Sequence, residues 1–447
     1  MNILESDIHN RKEDGGVSRR ESRGENRRAP ELLLPAKDLE VLRTAVNFGA
    51  DAVYIGGEAY GLRAKARNFT PDQMAEGIRY AHAHDVRVFV TANILAHNRD
   101  LEGAGQYFDE LAEIGPDAIL VADPGMFTLA RERCPDIPIH ISTQANNTNV
   151  GTFNFWYGLG AERVVCAREL SLDEIAQIRR GIPKEREIEA FVHGAMCISY
   201  SGRCLMSNYM TGRDANHGEC THPCRWKYAV MEESRPGVYL PIEENERGTF
   251  VFNAGDLCMV DHIPDLIGAG IDSFKIEGRM KTALYVASVG RAYRQAIDDY
   301  MESEELYRSR IPDYLSQIRK CTYRPFNTGF YYGRPDEKSM VYGSNTYVNE
   351  SVFLGIVEES PLGTGSGGRI PRARIRQRNK FCRGDRIEIM KPGGGDVTAT
   401  VLGMYTEDGQ PVESAPHPGQ IIDLELDHAA EPGDLLRTPG ESAEKQQ

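Results

Sequence analysis

Residues Glu31–Gly57 read ELLLPAKDLEVLRTAVNFGADAVYIGG. An apolar run, an amphipathic stretch over Asp38–Gly49 and a second β-branched run make one β-α-β unit. The same rhythm continues downstream. RVFVTANI, DAILVAD, IPIHIST, ERVVCA and EIEAFVHG follow at spacings of about 20 to 36 residues. Helical patterns lie between them at Thr70–His84, Asp100–Ile114, Pro124–Arg133, Val150–Leu159 and Ser171–Arg180. Strands apolar on both faces, alternating with amphipathic helices, predict a parallel sheet. Seven such strands precede residue 195, and Ile271–Glu277 supplies another. That tally predicts an α/β fold, a TIM-like (β/α)8-type barrel, over an open doubly wound sheet.

Outside the repeat the texture changes. Residues 1–29 are polar and mixed in charge and predict a disordered tail. The barrel is expected over 30–305, a connecting segment over 306–345 and a short tail over 439–447. Residues 346–438 carry short alternating runs (FLGIVEES, RARIRQR, DRIEIMKP, DVTATVLGM, GQIIDLEL, GDLLRT) separated by Gly- and Pro-bearing turns. These predict a small C-terminal antiparallel β-barrel domain.

The chain of 447 residues carries a net charge of −14, which argues against sequence-blind DNA binding but leaves room for one basic groove. No run of about eighteen apolar residues exists, so no membrane span is expected. The start, MNILESDIHNRKEDGG, lacks the apolar core of a secretory signal, and a cytoplasmic location is expected. There thiols stay reduced, and clustered cysteines read as ligands or redox groups.

The barrel rhythm breaks over 187–228, where Cys197, Cys204, Cys220 and Cys224 fall within 28 residues. Their spacing is C-x6-C-x15-C-x3-C, with Cys258 after 33 more residues. Paired C-x2-C zinc knuckles are absent, and long irregular gaps suit a wrapped iron–sulfur cluster. A zinc site using His217 or His222 is the alternative, and a single nucleophilic cysteine served by His193 or His222 is a third. Five cysteines compete for four positions, and Cys224 and Cys258 both stay open for the last.

A barrel puts its chemistry at the carboxyl ends of its strands. Reading past each run there gives Glu58, Arg63, Arg67, Asn93, His97, Asp123, Ser142, Gln144, Asn146, Arg168, Glu169, His193, Lys275, Glu277 and Arg279. So polar a set suggests an anion-binding mouth.

The run EAFVHGAMCISYSGRCLMSNYMTGRDANHGEC closely resembles the signature of the peptidase U32 family, and DSFKIEGRMK resembles its second hallmark. The resemblance runs from about Glu31 through the C-terminal β domain. GRDANHGECTHPCRW and the opening ELLLPAKDLEVLRTAVNFGADAVYIGG look most like the family's tRNA-hydroxylating branch. That resemblance implies oxygen-independent formation of 5-hydroxyuridine at the tRNA wobble position, with prephenate as hydroxyl donor and a [4Fe-4S] cluster. It implies Cys197, Cys204, Cys220 and Cys258 as cluster ligands, with Cys224 still in competition. Other branches act on ribosomal RNA or a ubiquinone precursor, and older members were named collagenase-like proteases. A serine protease needs a nucleophile with base and carboxylate, and a zinc protease H-E-x-x-H; neither pattern is present here. A non-enzymatic cluster-bearing RNA-binding scaffold is the third reading. For a hydroxylase the expected catalytic groups are Arg279, Lys275 and His193, with Arg203, Arg225, Gln144 and Glu277 binding substrate. Arg279 and Lys275 are expected to hold the donor's carboxylates.

Overall fold

The computed structural model describes residues 29–61, 68–197, 200, 203–225, 255–333, 348–360 and 372–440, with two-residue strands between 230 and 249. The expected tails, Arg63, Arg67, Ser199, Ser201, Lys227 and most of the polar insertion at 231–248 lie outside these, as do the side chains of His217 and Arg225.

The repeat forms as read. Strands β1 (Glu31–Pro35), β2 (Ala52–Gly56), β3 (Arg87–Thr91), β4 (Ala118–Val121), β5 (Ile139–Ile141), β6 (Arg163–Val165) and β7 (Glu187–Ala195) pair in order and in parallel. A strap, β8 (Asp256–Cys258), is followed by β9 (Ser273–Ile276). β9 pairs in parallel with β1 (Glu31↔Ser273) and with β7 (Ser273↔Glu189), which closes an eight-stranded barrel and removes the open-sheet alternative.

The outer helices are α1 (Leu39–Asn47), α2 (Pro71–His82), α3 (Asn98–Leu101), α4 (Ala104–Ile114), α5 (Pro124–Arg133), α6 (Val150–Gly158), α7 (Leu172–Arg180), α8 (Met206–Thr211), α9 (Ile263–Gly268), α10 (Ala283–Glu302) and α11 (Glu304–Arg319). Their starts are written in local chemistry. Thr70 and Gln73 form a capping box at α2, with Pro71 in its first turn, and Ser171 and Glu174 do the same at α7. Tyr285, Val289, Tyr293 and Ile297 of α10 are buried, as their spacing requires. Two readings differ. The expected connecting segment over 306–345 opens with helix, residues 306–319 belonging to α11, because Ser303 caps its start and Pro312 is accommodated within it. The sequence over about Met259–Gly268 reads as a helix, but the helix begins at Ile263, because Asp256–Cys258 is drawn into pairing with β7.

Inside the barrel the lower layer is charged. Arg163, fully buried, bonds Glu31 at 2.6 Å, Glu187 at 2.5 Å and Glu189 at 2.9 Å, while Arg87 also reaches Glu31. Above it Leu33, Ala52, Tyr54, Phe89, Ala118 and Leu120 form an apolar plug. The lumen is therefore a packed core, and open chemistry is confined to its upper end.

Six further strands form a closed antiparallel barrel: β10 (Phe353–Glu359), β11 (Arg372–Gln377), β12 (Arg386–Met390), β13 (Val397–Tyr405), β14 (Ile421–Leu426) and β15 (Leu435–Arg437). It docks on α10 and α11 through charge. Arg291 meets Asp396 at 2.5 Å and Lys320 meets Glu388 at 2.7 Å, and within the small barrel buried Arg437 braces the same two carboxylates, at 2.7 Å from Glu388 and 3.0 Å from Asp396.

Candidate active site at the barrel mouth

The upper ends of the strands carry a polar ring. Arg279 lies just past β9, and its guanidinium crosses the face of Gly56 on β2. A methyl group on Gly56 would sit 2.1 Å from Nη2, so only glycine admits this arginine. Arg279 donates to Thr91 Oγ1 at 3.2 Å and Asn68 Oδ1 at 3.1 Å, and is 5 % exposed. This puts a buried cation at the mouth, where one was expected.

Lys275 is placed differently. Its ammonium lies inside the lumen, 2.6 Å from Glu189 and 4.5 Å above the Tyr54 ring. Burial alone would push the Glu189 carboxyl up, but Lys275 and Arg163 outweigh it and hold it below the ordinary value. Lys275 thus neutralises a core carboxylate instead of presenting a free charge to a ligand.

Glu277 pairs with Arg168. Arg168 Nη2 donates to Glu277 Oε2 at 3.2 Å and Nη1 to the Ala195 carbonyl at 3.1 Å, with the guanidinium 4.1 Å over the Phe191 ring.

His193 departs furthest from its expected role. The register between β7 and β9 slips after Phe191↔Lys275 to His193↔Ile276, leaving Val192 as the extra residue of a β-bulge. The bulge turns His193 out of the lumen into the helical layer, against Tyr285, Tyr293 and Phe326. Burial, helped by Lys281, drives its pKa down to about 3. At neutral pH it is an uncharged packing group, poorly matched to proton transfer.

Past β3 and β5, Asn93 Nδ2 donates to Ser142 Oγ at 2.9 Å, and Gln144 sits in the 3-10 turn Thr143–Ala145. Asp123 is a helix cap, accepting from Met126 N at 3.0 Å.

The cysteine segment is tied to this mouth by one amide. Asn216 Nδ2 donates to the Leu95 carbonyl at 2.9 Å, and Leu95 N–H donates to Asn216 Oδ1 at 3.0 Å, so the loop after β3 and the segment are stitched together. Ser207 ties the segment internally, its hydroxyl accepting from Thr221 N–H at 3.1 Å. All nine cysteines are reduced thiols. Cys197 is exposed; Cys204, Cys220 and Cys224 are half-buried. Arg203 and Arg213 are exposed on the same segment.

Cys258 stands apart. It pairs with His193 on β8, outside the lumen, and its thiol lies by the Tyr293 hydroxyl, with burial pushing it up to about 12. That hydroxyl also donates to the Val192 carbonyl at 2.8 Å and accepts from Met259 N–H at 2.9 Å. The soft thiols suit iron in kind. Among the described residues no group of three or more Cys, His, Asp or Glu is placed to hold a metal ion. No helix among the described residues is long and apolar enough to cross a membrane.

Comparison with known proteins supports what the mouth and segment suggest. Residues 37–341 match peptidase family U32, and residues 349–437 match the peptidase family U32 C-terminal domain. The chain is 38% identical over 412 residues to tRNA hydroxylation protein P1 of Bacillus subtilis, covering 91% of this chain and 94% of that one. It is 35% identical to tRNA hydroxylation protein P of Escherichia coli, covering 90% and 96%. It is 38% identical to the 23S rRNA 5-hydroxycytidine C2501 synthase of Escherichia coli, covering 75% of this chain and 52% of that one. By its closed barrel, its cysteine segment and these matches over both domains, the chain belongs to peptidase family U32.

Proposed function

We propose that this chain is an RNA-modifying hydroxylase that acts on tRNA. In its fuller form the reading is oxygen-independent 5-hydroxylation of the wobble uridine with prephenate as donor. It assigns a [4Fe-4S] cluster to Cys197, Cys204, Cys220 and Cys258, with Cys224 the competitor for the fourth place. These thiols must converge for the cluster to bind.

The observation that carries the reading is the docking of the cysteine segment over the polar mouth through Asn216 and Leu95. It anchors the segment that carries the thiols and the exposed Arg203 and Arg213 at the loop after β3, at the end of the barrel where a buried cation, Arg279, suits an organic acid. The names of relatives that match both domains at near full length support tRNA as the substrate. The relative that acts on ribosomal RNA is matched over only 52% of its length, which favours the tRNA reading. A peptidase reading is weaker: Ser207 is engaged with Thr221 N–H and hydroxyl, so its oxygen is not held by a histidine base.

The test is nucleoside mass spectrometry of tRNA from a deletion strain, complemented with wild type or Cys204→Ala. Loss of 5-hydroxyuridine, its return with wild type and its absence with Cys204→Ala are expected. Unchanged 5-hydroxyuridine in the deletion strain would falsify the reading. Iron and sulfide measured on anaerobically purified protein test the cluster separately.

A further inference from the structure

Several buried polar atoms around the mouth have no partner. Asn93 is 8 % exposed and Gln144 6 % exposed, yet Asn93 Oδ1 and Gln144 Oε1 accept no hydrogen bond. Arg168, its side chain 10 % exposed, leaves Nε–H unmet although its two terminal nitrogens are engaged. The Tyr107 hydroxyl, packed near Gly57, is likewise unmet and buried. More than nine in ten buried polar groups in folded proteins find a partner, and each orphan is destabilising. Asn93, Gln144 and Arg168 follow three strands, β3, β5 and β6, at one end of one barrel. Orphans collected at that end, the one where barrel enzymes hold their ligands, mark a binding site.

The kind of orphan narrows the ligand. The Asn93 amide nitrogen is anchored on Ser142, which fixes which way its oxygen faces. The buried atoms left unmet on Asn93 and Gln144 are acceptors, and the one left unmet on Arg168 is a donor. A carboxylate offers acceptors only and would leave both amide oxygens unmet. A neutral ring with N–H beside C=O, the imide edge of uracil, meets acceptor and donor together. Outside the ring the cysteine segment displays Tyr209, 90 % exposed, and exposed Leu205, flanked by Arg203 and Arg213. An aromatic and two cations are what a single-stranded loop needs for stacking and phosphate contact.

Resting on the tRNA reading above, we propose that the mouth takes up the extruded target uracil itself. Its single N3–H is shared between Gln144 Oε1 and Asn93 Oδ1, and Arg168 Nε–H donates to a ring carbonyl. The organic acid is left to the Arg279 side of the mouth. Extruding a base from a loop costs little, because it is not paired there.

The test needs no variant at first. Anticodon stem-loops carrying uridine or 3-methyluridine at the target position are titrated onto the wild-type holoprotein. Methylation at N3 removes the donor that the amides read, so affinity should fall about ten- to a hundredfold. Gln144→Leu should weaken uridine binding, shrink the difference between the two loops and leave the apparent KM for the acid donor unchanged. Equal affinity for both loops in wild type would overturn the assignment while leaving tRNA hydroxylation standing. A rise in the donor KM with Gln144→Leu, tRNA affinity being kept, would overturn it too and give the site to the acid. If the protein binds and modifies no tRNA, the parent reading fails and this inference with it.

Discussion

At the residue scale the environment of each thiol sets its chemistry. Cys258 is buried with its pKa pushed up to about 12, whereas Cys197 is exposed. Only the thiolate attacks an alkylating agent, so burial lowers both access and reactive fraction. Brief iodoacetamide treatment of iron-free native protein at pH 8 should label Cys197 first and Cys258 only after unfolding. Peptide mass spectrometry reads this directly, and early labelling of Cys258 would contradict the buried placement. Protection of Cys197, Cys204 and Cys220 together after iron–sulfur reconstitution would identify those three as ligands. His193 follows the same logic in reverse. Its residue type suggested a proton carrier, but the bulge at Val192 carries it out of the lumen. No kinetic pKa near 6.5 should therefore come from it.

At the element scale the cysteine segment is held as a docked insertion. Asn216 supplies two hydrogen bonds to Leu95 while being nearly buried itself. Asn216→Ala leaves the Leu95 N–H and carbonyl unmet and should weaken the docking by about 1–3 kcal/mol. The segment should then exchange its amide hydrogens faster, while the barrel strands keep their protection. Hydrogen-exchange mass spectrometry separates these outcomes, and unchanged exchange over 203–225 would show that something else holds the segment. The bulge on β7 is the matching device on the opposite side. Gly194, at φ +111, lets β7 pass within contact of Glu277, where a Cβ would lie 2.5 Å from the Glu277 carbonyl oxygen.

At the scale of the whole molecule, charge joins the two barrels. Arg437 is fully buried between Glu388 and Asp396, and Arg291 completes the cluster. Burial pushes both carboxyls up, but the arginines, with Lys320 at Glu388, outweigh it and hold both below the ordinary range. A carboxyl depressed in the folded state stabilises it above the unfolded pKa, and that contribution is lost as pH falls through the folded value. Arg437→Ala should thus destabilise the protein by about 3–5 kcal/mol at pH 7, since two carboxylates lose their buried partner. The gap to wild type should narrow below about pH 4 as those carboxyls protonate. Denaturant unfolding at both pH values measures this, and a constant gap would argue that the arginine acts through packing alone.

Periodicity by itself determined the βα repeat, a tally of about eight strands and the five or six C-terminal strands, because burial on both faces and local caps act within a few residues of chain. It also exposed the cysteine cluster and the polar mouth, since position after a strand already fixes which end of a barrel a residue occupies. Only the tertiary structure decided which polar groups are engaged there. Lys275 and Glu189 meet across 86 residues, and Arg279 fits because Gly56 leaves room for it. The pairing of β8 with β7 likewise put Cys258 outside the lumen. Such choices depend on register slips and on partners brought together by barrel closure, and neither leaves a periodic trace in the chain.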